Sequence, residues 1–142
     1  MRCGFVYYFN PSAATVAVII NDKNELLVCR RAKEPAQGTL DLPGGFCDLY
    51  ETAEEGVARE VREEIGGNVI ASSYLFSLPN TYLYSGFLVH TIDSFFRCQL
   101  DDYTNIGAYD DASESMWIPL QSIRPEDFGL DSIREGIRRI LT

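Results

Sequence analysis

Basic residues and long apolar runs are scarce in this chain. Its 142 residues include 12 lysines and arginines against 21 aspartates and glutamates, a formal net charge of −9 at pH 7. Binding to nucleic acid needs a concentration of positive charge, so we expect no nucleic-acid partner. No apolar run approaches the roughly 20 residues that span a bilayer, and residues 1–10 are too polar for a secretory leader. We therefore expect a cytoplasmic protein without a membrane partner.

Cysteine and histidine are too few and too scattered to build a structural framework. The four cysteines form no CxxC pair: Cys3, Cys29, Cys47 and Cys98. A structural zinc site takes four ligands of this kind, so we predict free thiols and no zinc. The single histidine, His90, falls in the middle of a predicted strand and is interpreted as structural. A catalytic cysteine–histidine pair is therefore disfavoured.

Strand-forming segments are distributed along most of the chain. Apolar residues make up 46% of it, and a chain of this length is expected to fold as one domain, residues 1–142. The β-rich runs 13–20 and 25–31 flank a polar turn and predict a hairpin. Further strands are predicted at 39–43, 68–78, 85–100 and 116–120. The polar segment 101–115 predicts a mobile acidic loop.

Two segments carry the apolar repeat of an amphipathic helix. In the first, residues four apart make one stripe: Ala53, Val57, Val61 and Ile65. We predict a helix from about Glu51 to Ile65, with a slightly later start if Thr52 and Glu55 form a capping box. Isoleucines at 133, 137 and 140 predict a C-terminal helix. A mixed β-sheet flanked by two helices predicts an α+β fold, an α/β/α sandwich.

A glycine turn precedes the first predicted helix, and three glutamates form a ridge on one face of that helix. The turn is Pro43–Gly45, and Glu60, Glu63 and Glu64 are three and four residues apart, on one face of the helix. Three carboxylates so close repel each other, and oxygen ligands of high charge suit Mg²⁺ or Mn²⁺. Taken alone, these three glutamates are equally consistent with a solvated helix face.

Four further residues stand in register with this ridge and decide between the two readings. They are Gly45, Glu51, Arg59 and Gly66. With them, the segment 45–66 resembles the Nudix box, and the chain resembles a Nudix hydrolase, a metal-dependent enzyme that splits nucleoside diphosphates linked to another group. One departure is Gly67, where the family usually has an apolar residue.

The resemblance implies a role for each residue of the box. Glu60, Glu63 and Glu64 would bind the metal, and one of them would serve as the general base. The carbonyl group of Gly44 or Gly45 is a further implied metal ligand. Gly45, Glu51, Arg59 and Gly66 would be structural: Arg59 is expected to face away from the ridge and to pair with Glu51, bracing the loop against the helix.

Acidic and basic residues outside the box are weaker candidates. The family often draws another ligand or base from an acidic loop before a strand such as 116–120, which indicates Asp111 as a metal ligand and Glu114 as a catalytic base. Arg30 and Arg31, at a strand end, are candidate phosphate contacts. For all four, a solvated surface position is the alternative.

Residues 77–85 bear on the substrate. The sequence SLPNTYLYS resembles the specificity array of NADH pyrophosphatases at four positions: Ser77, Pro79, Tyr82 and Ser85. It departs from that array at Leu78, Asn80, Thr81 and Leu83, and a plain loop between strands is the alternative. The opening residues resemble the junction that follows the zinc ribbon of the same subfamily.

The expected function is therefore a metal-dependent pyrophosphohydrolase that releases a nucleoside monophosphate from an NADH-like dinucleotide. ADP-ribose, nucleotide sugars and nucleoside triphosphates remain alternative substrates, and a nucleotide-sensing domain without turnover is the non-enzymatic alternative. The resemblance also implies a homodimer.

Overall fold

The computed structural model describes residues 3–107 and 112–142, apart from the side chains of 112 and 113. The strands in chain order are β1 (Ser12–Val18), β2 (Glu25–Arg31), β3 (Leu40–Asp41), β4 (Gly44–Phe46), β5 (Val69–Tyr84), β6 (Phe87–Leu100) and β7 (Ala112–Pro119). The helices are α1 (Ala53–Ile65) and α2 (Asp131–Leu141), with short 3-10 turns at Leu120–Ser122 and Pro125–Asp127. None of the described helices is long and apolar enough to cross a membrane.

The strands form two sheets that lie between the two helices. The first sheet has the order β4-β1-β6-β5, with β1 parallel to β6, and the second has the order β3-β2-β7. Alternate residues of the central strands enter two apolar clusters. The cluster on α1 includes Ala17, Ile19, Leu27, Cys29, Val57, Val61 and Ile65. The cluster on α2 includes Val16, Val18, Leu26, Val28, Phe95, Ile133 and Ile137. This arrangement confirms the predicted α/β/α sandwich.

The predicted hairpin between 13–20 and 25–31 is wrong. The polar turn is present, and Asn21 Oδ1 accepts hydrogen bonds from the backbone N–H groups of Lys23 and Glu25. Beyond one bridge between Ile20 and Leu26, however, β1 and β2 belong to different sheets. Both edges of β1 are already occupied, by β4 and β6, so β2 has no free edge to pair with.

Residues close in sequence set both ends of the first helix. Thr52 is the N-cap and forms a complete capping box with Glu55, so α1 starts at Ala53, later than Glu51. Gly66 ends the helix with a left-handed φ of 72°. At the buried Gly67, an added Cβ would lie 3.1 Å from Val61 and 3.2 Å from Leu100. The space that a family apolar residue would fill is therefore taken by core side chains.

Two of the later strands, β5 and β7, are longer than predicted. β5 continues past residue 78 to Tyr84, and β6 is slightly shorter than the predicted 85–100, because a tight turn occupies Ser85 and Gly86, where both φ angles are positive. Residues 77–84 consequently lie inside β5, and the interpretation of this segment as a loop is wrong. β7 starts at residue 112, within the predicted loop 101–115, because it pairs with the full length of β2. The predicted strand 39–43 is shortened to β3, and both glycines of the predicted turn 43–45 lie in β4 instead, which leaves a bend at Pro43.

The capping box predicts a measurable contribution to stability. Thr52→Ala removes the acceptor for the Glu55 N–H group, and we expect it to lower the free energy of unfolding by about 1 kcal/mol in urea titrations. Thr52→Ser keeps the hydroxyl group and should retain most of that stability. Equal losses in the two variants would show that the cap does not set the start of the helix.

Candidate active site

The glycine turn brings the backbone of β4 directly against the glutamate ridge. β4 pairs with β1, and α1 packs beside it. A Cβ added to Gly45 would lie 2.7 Å from the carboxyl group of Glu60. The absence of a side chain at Gly45 is therefore what allows Glu60 to reach the turn. The backbone N–H of Gly44 donates a hydrogen bond to Glu64 Oε1 at 3.3 Å.

Glu60 and Glu64 form a pair of carboxyl groups at this turn. Burial, followed by the negative charge of Glu60, raises the pKa of Glu64 to about 9, from an ordinary value of 4.5. The Glu60 side chain is 14% exposed, whereas Glu63 is 47% exposed. The ridge is therefore unequal: two members face the protein and the third faces the rim.

Arg59 connects the ridge to the acidic loop that precedes α1. Its guanidinium donates to both carboxyl oxygens of Glu51, at 2.7 and 3.0 Å, so the ion pair implied by the resemblance is formed. The same group also donates to Glu60 at 3.0 Å and to Glu63 at 3.2 Å. The expectation that Arg59 faces away from the ridge is wrong, because its long side chain spans the next helical turn. The hydrogen bonds from Arg59 lower the pKa of Glu51 to about 2.

A divalent cation suits the chemistry of this pair. Glu60 and Glu64 offer only oxygen atoms, and their mutual repulsion would be relieved by positive charge between them. Within the part of the chain that the structure describes, no three acidic, histidine or cysteine side chains converge on one point. Glu63 is held by Arg59 instead. The pair therefore fits a metal as a partial ligand set, with room left for water and phosphate oxygens.

A cavity of about 280 Å³ extends from the glycine turn. Its wall includes Gly44, Gly45 and Glu64 at one side and residues of β2, β5 and β6 elsewhere. Phe46 and Tyr82 both line it, with ring centroids 6.3 Å apart. A carboxyl pair at the edge of a cavity with aromatic walls can accept a ligand that carries both phosphates and a flat ring.

The family profile described as NUDIX domain matches residues 10–139. The chain belongs to this family. Among solved structures, the Nudix hydrolase from Nitrosomonas europaea superposes with a TM-score of 0.75 at 24% identity, covering 98% of this chain and 74% of that one. At this level of identity the likeness supports the fold.

Curated Nudix relatives match over shorter stretches. The ADP-ribose pyrophosphatase of Methanocaldococcus jannaschii is 42% identical over 59 residues, which cover 42% of this chain and 34% of that protein. The human mitochondrial NAD(P)H pyrophosphatase NUDT13 is 37% identical over 73 residues, which cover 51% of this chain and 20% of that protein. The matched part is thus about a third or less of each relative's length.

Some of the candidate site residues outside the Nudix box line the cavity and others do not. Arg30 and Arg31 both line the cavity. Arg30 forms a 2.5 Å ion pair with Glu114, which lies outside the cavity wall, and Arg31 pairs with Asp41 at 2.7 Å. Asp111 lies outside the described residues. Candidate phosphate contacts are therefore at the cavity, whereas the candidate base Glu114 is not part of its wall.

The array on β5 divides between the two faces of the strand. Tyr82 lines the cavity, while Ser77, Pro79 and Ser85 do not. Asn80 and Tyr84, which sequence reasoning passed over, line it instead. Side chains two apart share a face of a strand, so the alternation from Tyr82 was the signal that could have found them.

Polar side chains of β5 and β6 form another part of the cavity wall, including Asn80, Thr91 and Asp93. Buried Asp93 accepts hydrogen bonds from Thr91 at 2.8 Å and from Ser132 of α2 at 2.5 Å. Sequence reasoning missed these residues because they are distant along the chain and belong to no motif. The cavity wall therefore combines aromatic, polar and acidic side chains.

Glu64 is expected to make the stability of the protein depend on pH even without substrate. The pKa of Glu64 is about 9 in the folded protein, against an ordinary value of 4.5. The stabilising contribution of this carboxyl group is therefore fully present at pH values below 4.5, and it is lost as the pH rises from 4.5 towards 9. We expect the free energy of unfolding, measured with urea in EDTA, to fall by at least about 1 kcal/mol across this interval. Glu64→Gln should remove that part of the decrease.

Glu54→Gln provides the matched control for this measurement. Glu54 is exposed in the first turn of the same helix, so this variant should keep the wild-type slope. An equal decrease in Glu64→Gln and the wild type would assign the pH dependence to other groups.

Proposed function

We propose that this chain is a metal-dependent Nudix pyrophosphohydrolase that cleaves a nucleoside diphosphate linked to another moiety. The observation that carries the proposal is the Glu60–Glu64 pair, which packs against the backbone of Gly44 and Gly45 and has Glu64 in the cavity wall. A glutamate pair on a solvated face would not be buried against a glycine backbone. Membership of the NUDIX family supports the same chemistry.

The residues that would hold the cation are Glu60, Glu63, Glu64, the carbonyl of Gly44, and Asp111. Mg²⁺ or Mn²⁺ bound there would polarise a phosphoryl oxygen and neutralise developing charge. No zinc is proposed. Gly45, Glu51, Arg59 and Gly66 shape the site rather than contact substrate, and the Arg59 contacts to Glu51 and Glu60 support that assignment.

The hydrolytic step breaks one phosphoanhydride bond. Water attacks phosphorus, a carboxylate takes the proton from water, and the products are a nucleoside monophosphate and the phosphorylated remainder. The candidate bases are Glu60, Glu63, Glu64 and Glu114. The Glu114 contact with Arg30, outside the cavity wall, supports a base from the Nudix box instead. Arg30 and Arg31 would contact the phosphates from the opposite wall.

An adenine dinucleotide or ADP-ribose is the proposed substrate class. The partial relatives are named ADP-ribose pyrophosphatase and NAD(P)H pyrophosphatase, and Tyr82 of the array lines the cavity. Since Ser77 and Pro79 lie outside the cavity wall and Ser85 lies in the turn after β5, their role in substrate binding has less support than that of Tyr82.

The setting of this activity is proposed from the sequence. We propose one domain over residues 1–142, a small-molecule nucleotide partner, a cytoplasmic location, and neither nucleic acid nor a membrane as a partner. A homodimer remains an expectation from the resemblance. Five consecutive apolar side chains at residues 5–9 are 64–75% exposed and support a partner at that segment.

Removing single carboxylates tests the proposed site. Glu63→Gln and Glu64→Gln should each lower kcat about 10²-fold or more, because each removes charge from the metal-binding ridge. Glu54→Gln, exposed on the same helix, should keep the wild-type rate. Circular dichroism should show all three variants folded. Wild-type rates for both ridge variants would place the metal site elsewhere.

A substrate panel tests the substrate class. Products from NADH, NAD⁺, ADP-ribose, dinucleoside polyphosphates and nucleoside triphosphates should be separated by chromatography, with Mg²⁺ and then Mn²⁺. We expect AMP from NADH or ADP-ribose at the highest kcat/KM. Faster hydrolysis of a triphosphate would reassign the substrate. Tight binding without any product would favour a sensing domain over an enzyme.

A further inference from the structure

The cavity wall contains two buried polar atoms that lack a hydrogen-bond partner. They are Asn80 Oδ1 and Thr15 Oγ1, and they are the only such side-chain atoms found among the described residues. Both residues line the same cavity, and they are 6% and 1% exposed, respectively. Buried acceptors are nearly always satisfied in folded proteins. In a cavity wall, an entering ligand can supply the missing partner once a rotation of the side chain brings the atom to the cavity surface.

Two hydroxyl groups that hydrogen-bond to Asp93 do not supply the missing donor. Thr91 lies directly opposite Asn80 on β6, but its hydroxyl proton is donated to Asp93. The hydroxyl of Ser132 is donated to the same carboxylate. The hydroxyl protons of Thr91 and Ser132 are therefore already engaged with the carboxylate of Asp93. A ligand group that faces Asn80 must bring an N–H or O–H group of its own.

The surroundings of Asn80 favour a flat ring. Tyr82 lies two residues further along the same face of β5, and its ring is 6.3 Å from that of Phe46. Both rings line the same cavity as Asn80, and aromatic side chains stack readily on nucleobases. An amide side chain can pair with adenine through its amino group and the adjacent ring nitrogen. A carbonyl at C6, as in hypoxanthine or guanine, would instead oppose the amide oxygen with another acceptor.

The distance across the sheet agrees with this assignment. Gly44, beside the glutamates, is on β4, and Asn80 is on β5, at the other end of the strand order β4-β1-β6-β5. Three strand spacings amount to roughly 14 Å along the sheet. A ligand whose phosphates lie near the Nudix box would therefore present a more remote part of itself to Asn80.

We propose that Asn80 determines base specificity by accepting a hydrogen bond from the exocyclic amino group of adenine. This inference rests on the proposed function, since it takes the same cavity as the substrate site. It assigns to Asn80 a role that the resemblance to NADH pyrophosphatases does not contain, because that array carries a different residue at this position.

Removing one amino group from the ligand tests the proposal. AMP and purine riboside 5′-monophosphate differ only in the 6-amino group, and their affinities can be measured by titration calorimetry in Mg²⁺. We expect the wild type to bind AMP about tenfold more tightly, the effect of one buried hydrogen bond. Asn80→Ala should bind both ligands equally. Equal affinities in the wild type, or no measurable binding of either ligand, would overturn the proposal.

A neighbouring variant controls for effects on the strand. Thr81 is exposed and is adjacent to Asn80, so Thr81→Ala should keep the tenfold preference. Thermal unfolding should show that Asn80→Ala is folded, and the wild-type comparison does not depend on that variant. A preference for AMP retained in Asn80→Ala would also overturn the proposal.

Hydrolysis assays separate this inference from the proposed function. If the wild type binds AMP preferentially but hydrolyses nothing in the substrate panel, the role of Asn80 in recognising adenine stands and the enzymatic proposal fails. If it hydrolyses ADP-ribose and its purine analogue with equal kcat/KM and binds both monophosphates equally, the enzymatic proposal stands and the role of Asn80 is refuted.

Discussion

The arrangement of charge around Arg59 is the constraint on which the candidate site depends. In a chain of net charge −9, one guanidinium contacts Glu51, Glu60 and Glu63 and also the carbonyl of Phe46. It therefore joins the loop, the first helix and the glycine strand in one network. Without this group, carboxylates from both sides of the loop would face one another uncompensated, and β4 would lose a tie to α1.

The same network explains why the three ridge glutamates are not equivalent. Glu60 can approach the turn because Gly45 has no side chain. Glu64 also lies against the turn, where it accepts a hydrogen bond from the backbone N–H of Gly44. Glu63 stays at the rim with Arg59. Chemistry that needs both a buried carboxyl group and an accessible one thus has each available within one helical turn. The aromatic and polar wall of the cavity supplies a different kind of contact, suited to the uncharged part of a ligand.

Local signals in the sequence predicted the elements that short-range physics controls. Thr52 and Glu55 set the start of α1, Gly66 ended it, and the isoleucines near the C-terminus marked α2, because capping and helical periodicity involve residues a few positions apart. The pairing of strands was harder to predict from the sequence. The turn at residues 21–24 was read correctly, yet β1 and β2 separate because other strands, distant in sequence, occupy the edges of β1.

The sequence by itself determined the family, the fold class and the glutamates of the Nudix box, because these follow from residue types at fixed spacing along one helix and turn. Tertiary structure alone decided that Arg59 bridges the ridge, that Glu114 pairs with Arg30, and that Asn80 rather than Ser77 or Pro79 faces the cavity. Each of these depends on which strand lies beside which and on the face to which a side chain points. Those are relations between segments far apart in the chain, and spacing within one segment carries no information about them.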